Sequence, residues 1–293
     1  MKLLAPAKIN WFLHVGKKRP DGYHEILSLM QFIDLFDEIE LEPHEEIIIE
    51  TDLDISVKEN IAYKAAIKLR QESGYKDGVK IRIKKNIPPG AGLGGGSSDA
   101  AFTLIGLNKL WGLDLPTKEL IHIGASIGSD IPFFLKGPSA IVKGRGDIVE
   151  KIEIKESCIL LLIKPEFGIS STWAYNELDR IRKEKKASRK DEQRPISPEV
   201  FTCSSLKTAA ELFSPDTHFF LRNDLEEPVL RSFPLLREIK NHLYRSGALY
   251  SAMTGSGSVI FGVFRSEEEA LQIQDKFKKH WTKIVKTISS GKT

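Results

Sequence analysis

The chain has little cysteine, no long apolar run and no strong excess of either charge, and each shortage removes a class of protein. Cys158 and Cys203 are the only cysteines among 293 residues. Two cysteines make no disulfide framework and lack metal-site spacing, so a reducing cytoplasm is expected. The longest apolar run in the middle of the chain is Cys158-Ile159-Leu160-Leu161-Leu162-Ile163. A bilayer span needs about 20 apolar residues, so this run reads as a buried strand. The opening Met1-Lys2-Leu3-Leu4-Ala5-Pro6 contains no apolar leader core, and neither a secretory signal nor a membrane partner is expected. The net charge is only +3, and its excess is local: residues 180–194 hold eight Lys/Arg against Glu184, Asp191 and Glu192, leaving the remainder at −2. With no aromatics interleaved, residues 183–198 read as a solvated surface connector, and no nucleic-acid partner is expected.

What is present is a globular composition, 41% hydrophobic and 28% charged, on a chain long enough for two cores. The division is expected near residue 155, giving domains over 1–155 and 156–293. The most informative stretch is Pro88-Pro89-Gly90-Ala91-Gly92-Leu93-Gly94-Gly95-Gly96-Ser97-Ser98-Asp99-Ala100, with five glycines in the seven positions 90–96. Glycine permits close backbone approach and positive φ. Ala100, Leu104, Leu107 and Trp111 then fall on one helical face. A loop feeding a helix N-terminus presents unpaired N–H groups and a positive dipole end, which suits phosphate. Two familiar phosphate loops do not fit. The string Gly90-x-Gly92-x-x-Gly95 matches a dinucleotide fingerprint, but Pro88-Pro89 separates it from any strand and no acidic strand end follows about 20 residues on. A Walker A loop would end in Gly-Lys-Ser/Thr, and this one ends Gly96-Ser97-Ser98.

Strand and helix signals alternate along the chain. Short apolar runs mixed with Gly22 and two prolines read as strands and turns up to about Glu42, and Ile47-Ile48-Ile49 is a short strand. Asn60 opens a helix carrying Ile61, Ala65 and Leu69. Val79, Ile81 and Ile83 alternate with basic residues as a half-exposed strand. Residues 117–126 read as a helix behind Pro116. In the second half, a strand starts at Cys158, and a helix through Leu235, Ile239 and Leu243 is stopped by Gly247. A strand over 259–264 precedes Ser266-Glu267-Glu268-Glu269, a capping box whose helix carries Ala270, Ile273 and Phe277 inward.

Pro6-Ala7-Lys8-Ile9-Asn10, the glycine-rich loop and Thr254-Gly255-Ser256-Gly257-Ser258 occur in that order. Together they resemble the GHMP kinase superfamily, which phosphorylates small alcohols and acids with ATP, over nearly the whole chain. Pro20-Asp21-Gly22-Tyr23-His24-Glu25 resembles the substrate-side signature of the members acting on a cytidine-diphosphate-linked methylerythritol in non-mevalonate isoprenoid synthesis. Gly128-Ser129-Asp130-Ile131-Pro132-Phe133-Phe134 and Asn223-Asp224-Leu225-Glu226 resemble further segments of those members, with Ser129 where alanine is more usual. The resemblance implies an α+β fold of two domains, one like domain 2 of ribosomal protein S5 and one ferredoxin-like, with substrates meeting between them. It also implies a small-molecule partner carrying a cytidine diphosphate group, and a monomer or weak homodimer.

On this resemblance, Pro89, Gly90, Ala91, Gly92, Leu93, Gly94, Gly95, Gly96, Ser97 and Ser98 bind the ATP phosphates. Asp99 would repel phosphate, so its carboxylate is expected to point away and serve the helix. The acceptor is a tertiary alcohol, a poor nucleophile that needs a base within about 3 Å. Asp130 is the candidate base, with Lys8 beside it stabilising charge and Asn10 holding the acceptor or Lys8. Tyr23 is expected to stack on cytosine, His24 to read its edge, and Tyr175 to form an opposing face. Gly255, Ser256 and Gly257 clamp the substrate diphosphate or the transferred group, and Asn60 and Lys64 lie near the adenine. Mg²⁺ is expected through ATP oxygens, with no metal held by the protein alone. Two alternatives stay open: a GHMP kinase for homoserine, mevalonate or a sugar, and an S5-type RNA-binding module without catalysis.

Overall fold

A computed structural model describes residues 1–52, 55–187 and 221–290. Cys203 and residues 188–198 of the expected connector lie outside them.

The first sheet is organised by a long hairpin. β1 (Lys2–Lys18) and β2 (His24–His44) pair antiparallel from Lys2 opposite Glu40 to Lys18 opposite His24. The segment read as strands and turns is therefore stranded as expected, but as two long strands rather than several short ones. Apolar residues fill both faces of its middle, with residues 5–15 of β1 all buried. A strand covered on both sides loses the alternation that makes it legible. Register shifts between Pro6 and Ala7, and between Asn10 and Phe12, bracket Lys8 and Asn10. Bulges of this kind re-aim side chains beside active sites.

β3 (Ile47–Thr51) runs parallel to β4 (Gly78–Lys84), joined by α1 (Ile61–Ser73). Asn60 caps α1 by accepting from the Ala62 N–H at 2.9 Å, the expected signal. α2 (Gly95–Leu110), α3 (Thr117–Ile127) and α4 (Ile131–Lys136) follow, then β5 (Ser139–Gly144) and β6 (Ile148–Lys151). The strand order is β3-β4-β2-β5-β6, with β1 paired to β2.

The second sheet starts at β7 (Ile159–Lys164), the apolar run seen in the sequence. It is followed by α5 (Ser171–Ala187), α6 (Glu226–Ser232), α7 (Pro234–Arg245), β8 (Tyr250–Met253), β9 (Ile260–Phe264), α8 (Glu267–Gln274) and β10 (Trp281–Lys286). The order β10-β7-β9-β8, all antiparallel, is the ferredoxin-like arrangement. Gly247 after α7 takes φ +97°, the left-handed stop expected there. Ser266 caps α8 by accepting from the Glu269 N–H at 3.2 Å, while the Glu269 carboxylate accepts from Arg265 rather than from Ser266. Phe277 follows α8 in a short 3₁₀ turn and is buried as expected.

Three apolar cores hold these layers. One packs α1–α4 on the first sheet, one packs α5–α8 on the second, and the middle one joins the two sheets face to face. In the middle core the Trp11 indole meets Phe261 edge-on at 5.9 Å and donates to the Gln31 side chain at 2.8 Å. Burying one such aromatic contributes about 2–3 kcal/mol. No helix among the described residues is long and apolar enough to cross a membrane.

One expectation is corrected by α5. Residues 183–187, read as the start of a surface connector, continue the helix. Arg180 bridges Glu177 at 2.6 Å and Glu184 at 2.5 Å, and Lys185 reaches Glu227 at 2.5 Å. Charge alternating at helical spacing supports a solvent-facing helix.

Candidate active site

The motifs that are far apart in sequence converge on one cavity of about 880 Å³. Its wall includes Lys8 and Asn10 of β1, residues 88–97 of the glycine-rich loop, Asp130, and Gly255 and Ser256 of the last motif. β1 is stitched to the loop by the Lys8 N–H donating to the Leu93 carbonyl at 2.9 Å. The last motif is stitched to it by Val259 donating to Ala91 at 3.2 Å and Ser258 to Gly90 at 3.3 Å.

Glycine is required where these segments touch. Gly92 has φ +75°, and a Cβ there would stand 2.1 Å from the Thr254 carbonyl oxygen. Gly94 has φ +72°, and its Cβ would stand 2.8 Å from the Phe134 ring and 3.1 Å from Lys8 Cγ. The left-handed Gly94 is also the N-cap of α2, so the helix starts at Gly95, five residues before the apolar face that announces it. The N–H groups of the first helical turn are the ones left without intrahelical acceptors.

That early start corrects two expectations. Ser98 is buried, and its N–H donates to the Gly94 carbonyl at 2.9 Å. Its hydroxyl lies sealed in the interior rather than on the cavity wall, which leaves Ser97 as the hydroxyl there. Asp99 does not cap the helix. Lys85 Nζ donates to Asp99 at 2.6 Å and also to Asp37, whose other oxygen accepts from the Asn86 and Ile87 N–H groups at 2.6 and 2.8 Å. Burial raises Asp99 to about 7; the Lys85 ammonium pulls it down and the Asp37 carboxylate adds to the rise. One ammonium thus serves two buried carboxylates beneath the glycine-rich loop.

The sign of the resulting pH dependence follows. A carboxyl whose pKa rises on folding favours the folded state while protonated, and loses that favour as pH climbs through about 7. Asp99→Asn removes this contribution. The melting temperature of the variant relative to wild type is expected to increase between pH 5 and pH 8; a difference that stays flat or falls would contradict it.

Lys8 is almost completely buried, and its Nζ donates to Asn10 Oδ1 at 2.5 Å. Asp130 Oδ2 lies 3.9 Å from the same nitrogen. Burial lowers the Lys8 pKa and the Asp130 charge partly restores it. Asn10 is itself fixed: its amide donates to Ser28 Oγ at 2.8 Å, and its N–H donates to Thr254 Oγ1 at 3.1 Å. Asp130 is the residue before α4, makes no capping bond with its side chain, and leaves a third of that side chain exposed. An immobile cation and an accessible carboxylate therefore share one point of the wall.

Tyr23, His24 and Tyr175 line the same cavity. Tyr23 is half exposed, whereas His24 is buried. The His24 ring stacks on Tyr175, with centroids 5.2 Å apart and planes 25° apart. Its Nε2 lies 2.8 Å from Asp179 Oδ1. Burial raises the Asp179 pKa, but His24 and Lys18 outweigh it and hold the carboxyl below the usual range. Burial likewise pushes the Tyr175 hydroxyl up, reinforced by the charges of Asp130 and Asp224. The Arg145 guanidinium lies 5.3 Å from the centroid of the Tyr23 ring, a cation–π distance, and donates to the Ala125 carbonyl at 2.7 Å.

Besides Ser98, two expected site residues stand off the wall. Lys64 is exposed on α1, while Asn60 lines the cavity. Gly257 closes a turn by donating to the Thr254 carbonyl at 3.0 Å, and Gly255 and Ser256 are the lining residues of that motif. Sequence reasoning missed Lys18, Lys85, Arg145 and Ser171 on the wall, the Ser171 hydroxyl 2.8 Å from that of Ser256, and Asp179 behind His24. It also did not assign Asn223 its work: the amide donates to the Met253 and Gly255 carbonyls at 2.9 and 2.7 Å, holding the last motif in place. Among the described residues no group of three or more His, Cys, Asp or Glu is placed to hold a metal ion.

An S5-like and a ferredoxin-like half enclosing a glycine-rich loop at a helix start define a small-molecule kinase of the GHMP type. The GHMP kinases N terminal domain matches residues 60–138, and the GHMP kinases C terminal domain matches residues 205–283. A 4-diphosphocytidyl-2-C-methyl-D-erythritol kinase of Thermodesulfovibrio yellowstonii is 47% identical over 283 residues, covering 96% of each chain. The crystal structure of a 4-(cytidine 5'-diphospho)-2C-methyl-D-erythritol kinase superposes with TM-score 0.74 and 29% identity over 97% of this chain and 99% of that one. Homoserine kinase from Cytophaga hutchinsonii shares the fold, with TM-score 0.72 and 19% identity over 99% and 94% of the two chains. The chain belongs to the 4-diphosphocytidyl-2-C-methyl-D-erythritol kinase family.

Proposed function

We propose that the protein transfers the γ-phosphoryl group of ATP to the 2-hydroxyl of 4-diphosphocytidyl-2-C-methyl-D-erythritol, giving the 2-phosphate and ADP. The observation that carries this reading is the meeting of three groups on one cavity wall: the helix-start loop, the Lys8–Asp130 pair, and the Tyr23–His24–Tyr175 cluster. Lys8 touches the loop through its backbone, and Asp130 shares the cavity wall with Tyr23, His24 and Tyr175. The pair therefore stands between a phosphate site and an aromatic site.

Asp130 takes the proton of the acceptor hydroxyl as its oxygen bonds to the γ-phosphorus. The bond from that phosphorus to the bridging β-γ oxygen breaks, and ADP leaves with the electron pair. Lys8 stabilises the negative charge that spreads over the transferred group. Its geometry is set before substrate arrives, because Asn10 holds the ammonium from a residue two positions along the same strand. The N–H groups of Gly95, Gly96 and Ser97 and the Ser97 hydroxyl receive the phosphates. Mg²⁺ bound through the ATP oxygens would neutralise phosphate charge. The enzyme is read as cytoplasmic, a monomer or weak homodimer with a small-molecule partner.

Tyr23 supplies one face for the cytosine ring. Its ring is exposed, so Tyr23→Ala costs little folding stability. It is expected to raise KM for the cytidine substrate about tenfold while leaving KM for ATP unchanged, read by steady-state kinetics. An unchanged substrate KM would remove Tyr23 from base binding. The function itself is tested against a panel of acceptors. The cytidine-diphosphate-linked alcohol should be phosphorylated and homoserine and mevalonate should not; turnover of either in its place would assign a different GHMP activity.

A further inference from the structure

Asp179 is a buried-facing carboxylate that the phosphoryl-transfer chemistry does not use. It projects from α5, in the second half of the chain, onto the turn end of the β1–β2 hairpin in the first. There it meets His24 Nε2 at 2.8 Å through Oδ1 and Lys18 Nζ at 3.3 Å through Oδ2. An ionised carboxylate accepts hydrogen bonds and donates none. The Nε2 it faces must therefore carry a proton, and a neutral imidazole then has its lone pair on Nδ1. The described residues supply no partner to Nδ1, and His24 lines the cavity. One face of the ring is covered by Tyr175. Two contacts thus fix the ring, one for its proton and one for its plane.

We propose that Asp179 is a positioning residue for base selection: it makes His24 Nδ1 a fixed acceptor, and the site thereby prefers a base with an exocyclic amino group. Resting on the function proposed above, that group is the C4 amino of cytosine. Uracil carries an acceptor oxygen at the same position, and two facing acceptors leave both unpaired in a buried site, which is costly. Lys18 holds the carboxylate ionised and in place, so the polarity of the reader is set from outside the base pocket.

The test compares wild type with Asp179→Leu and Asp179→Asn, using cytidine- and uridine-diphosphate-linked methylerythritol as acceptors. In Asp179→Leu the imidazole is free to carry its proton on either nitrogen. The ratio of kcat/KM for cytidine over uridine substrate is expected to fall about tenfold, through KM, with kcat and KM for ATP within twofold of wild type. Asp179→Asn keeps an oxygen able to accept from Nε2 and is expected to recover part of the preference. A carboxylate that only braced the fold would weaken both acceptors alike, and an unchanged base ratio in both variants would overturn the proposal.

Nitrogen-15 NMR of the labelled His24 ring gives a second readout that needs no substrate. It should show the proton on Nε2 in wild type and a mixture of both ring forms in Asp179→Leu. A proton on Nδ1 of the neutral wild-type ring would also overturn the assignment. Wild type that phosphorylates neither acceptor would remove the function reading instead, and the ring spectrum would still decide what Asp179 does to His24.

Discussion

Replacing Asp130 by asparagine is expected to lower kcat about 10³-fold while leaving the fold and both KM values close to wild type. General-base catalysis by a positioned side chain contributes about 10²–10⁴-fold, and the amide cannot take the proton of the acceptor hydroxyl. Asparagine has the size of aspartate, and the Asp130 side chain makes no capping bond to α4, so the helix does not depend on its charge. A structural effect would be read in the melting curve and a catalytic one in the turnover. Near-normal turnover would remove Asp130 from the mechanism.

Lys8→Met is expected to lower kcat about 10²–10³-fold, the range found when a fixed electrostatic contact to the transition state is deleted. Methionine fills the same narrow channel without the charge. Arginine should not rescue it. Lys8 is nearly unexposed, a Cβ on Gly94 would come within 3.1 Å of its Cγ, and a Cβ on Gly255 within 3.4 Å of its Nζ. A guanidinium is bulkier than the ammonium on this buried stem, and its planar fork does not reproduce the single contact to Asn10 Oδ1. The methionine variant removes one of two donors to Asn10 Oδ1 and leaves the Thr254 hydroxyl at 3.4 Å, so stability is expected to change by no more than about 1 kcal/mol. Rapid-quench measurement of a single turnover separates this loss from any change in ATP binding.

The parts of this site that could be read in the sequence are those whose physics is local. Glycines at positive φ, Asn60 before a helix, Gly247 after one and Ser266 opening another all act within a few residues. Each is found where the sequence puts it. The start of α2 was less legible, because Gly94 can cap a helix without any polar side chain to announce it. Five residues of helix hidden in a glycine run turn Ser98 inward and carry Asp99 to Lys85.

The illegible parts are pairings across the chain. Lys85 meets Asp37 from 48 residues away, and Asp179 meets His24 from 155 away. No spacing or composition signals such a contact, since it is made by the hairpin, the loop and α5 coming together in three dimensions. The charged run at the end of α5 misled for the opposite reason: a surface helix stabilised by ion pairs has the composition of a loop.

The central claim is that this cavity moves a phosphoryl group from ATP to the alcohol of a cytidine-diphosphate-linked substrate with Asp130 as base. Phosphorus-31 NMR of the purified protein with Mg·ATP and 4-diphosphocytidyl-2-C-methyl-D-erythritol, beside Asp130→Asn, tests it in one experiment. The account predicts a new phosphomonoester signal and matching ADP in wild type, with almost none from the variant over the same time. ADP formation without the phosphomonoester, or equal product from both proteins, would contradict it.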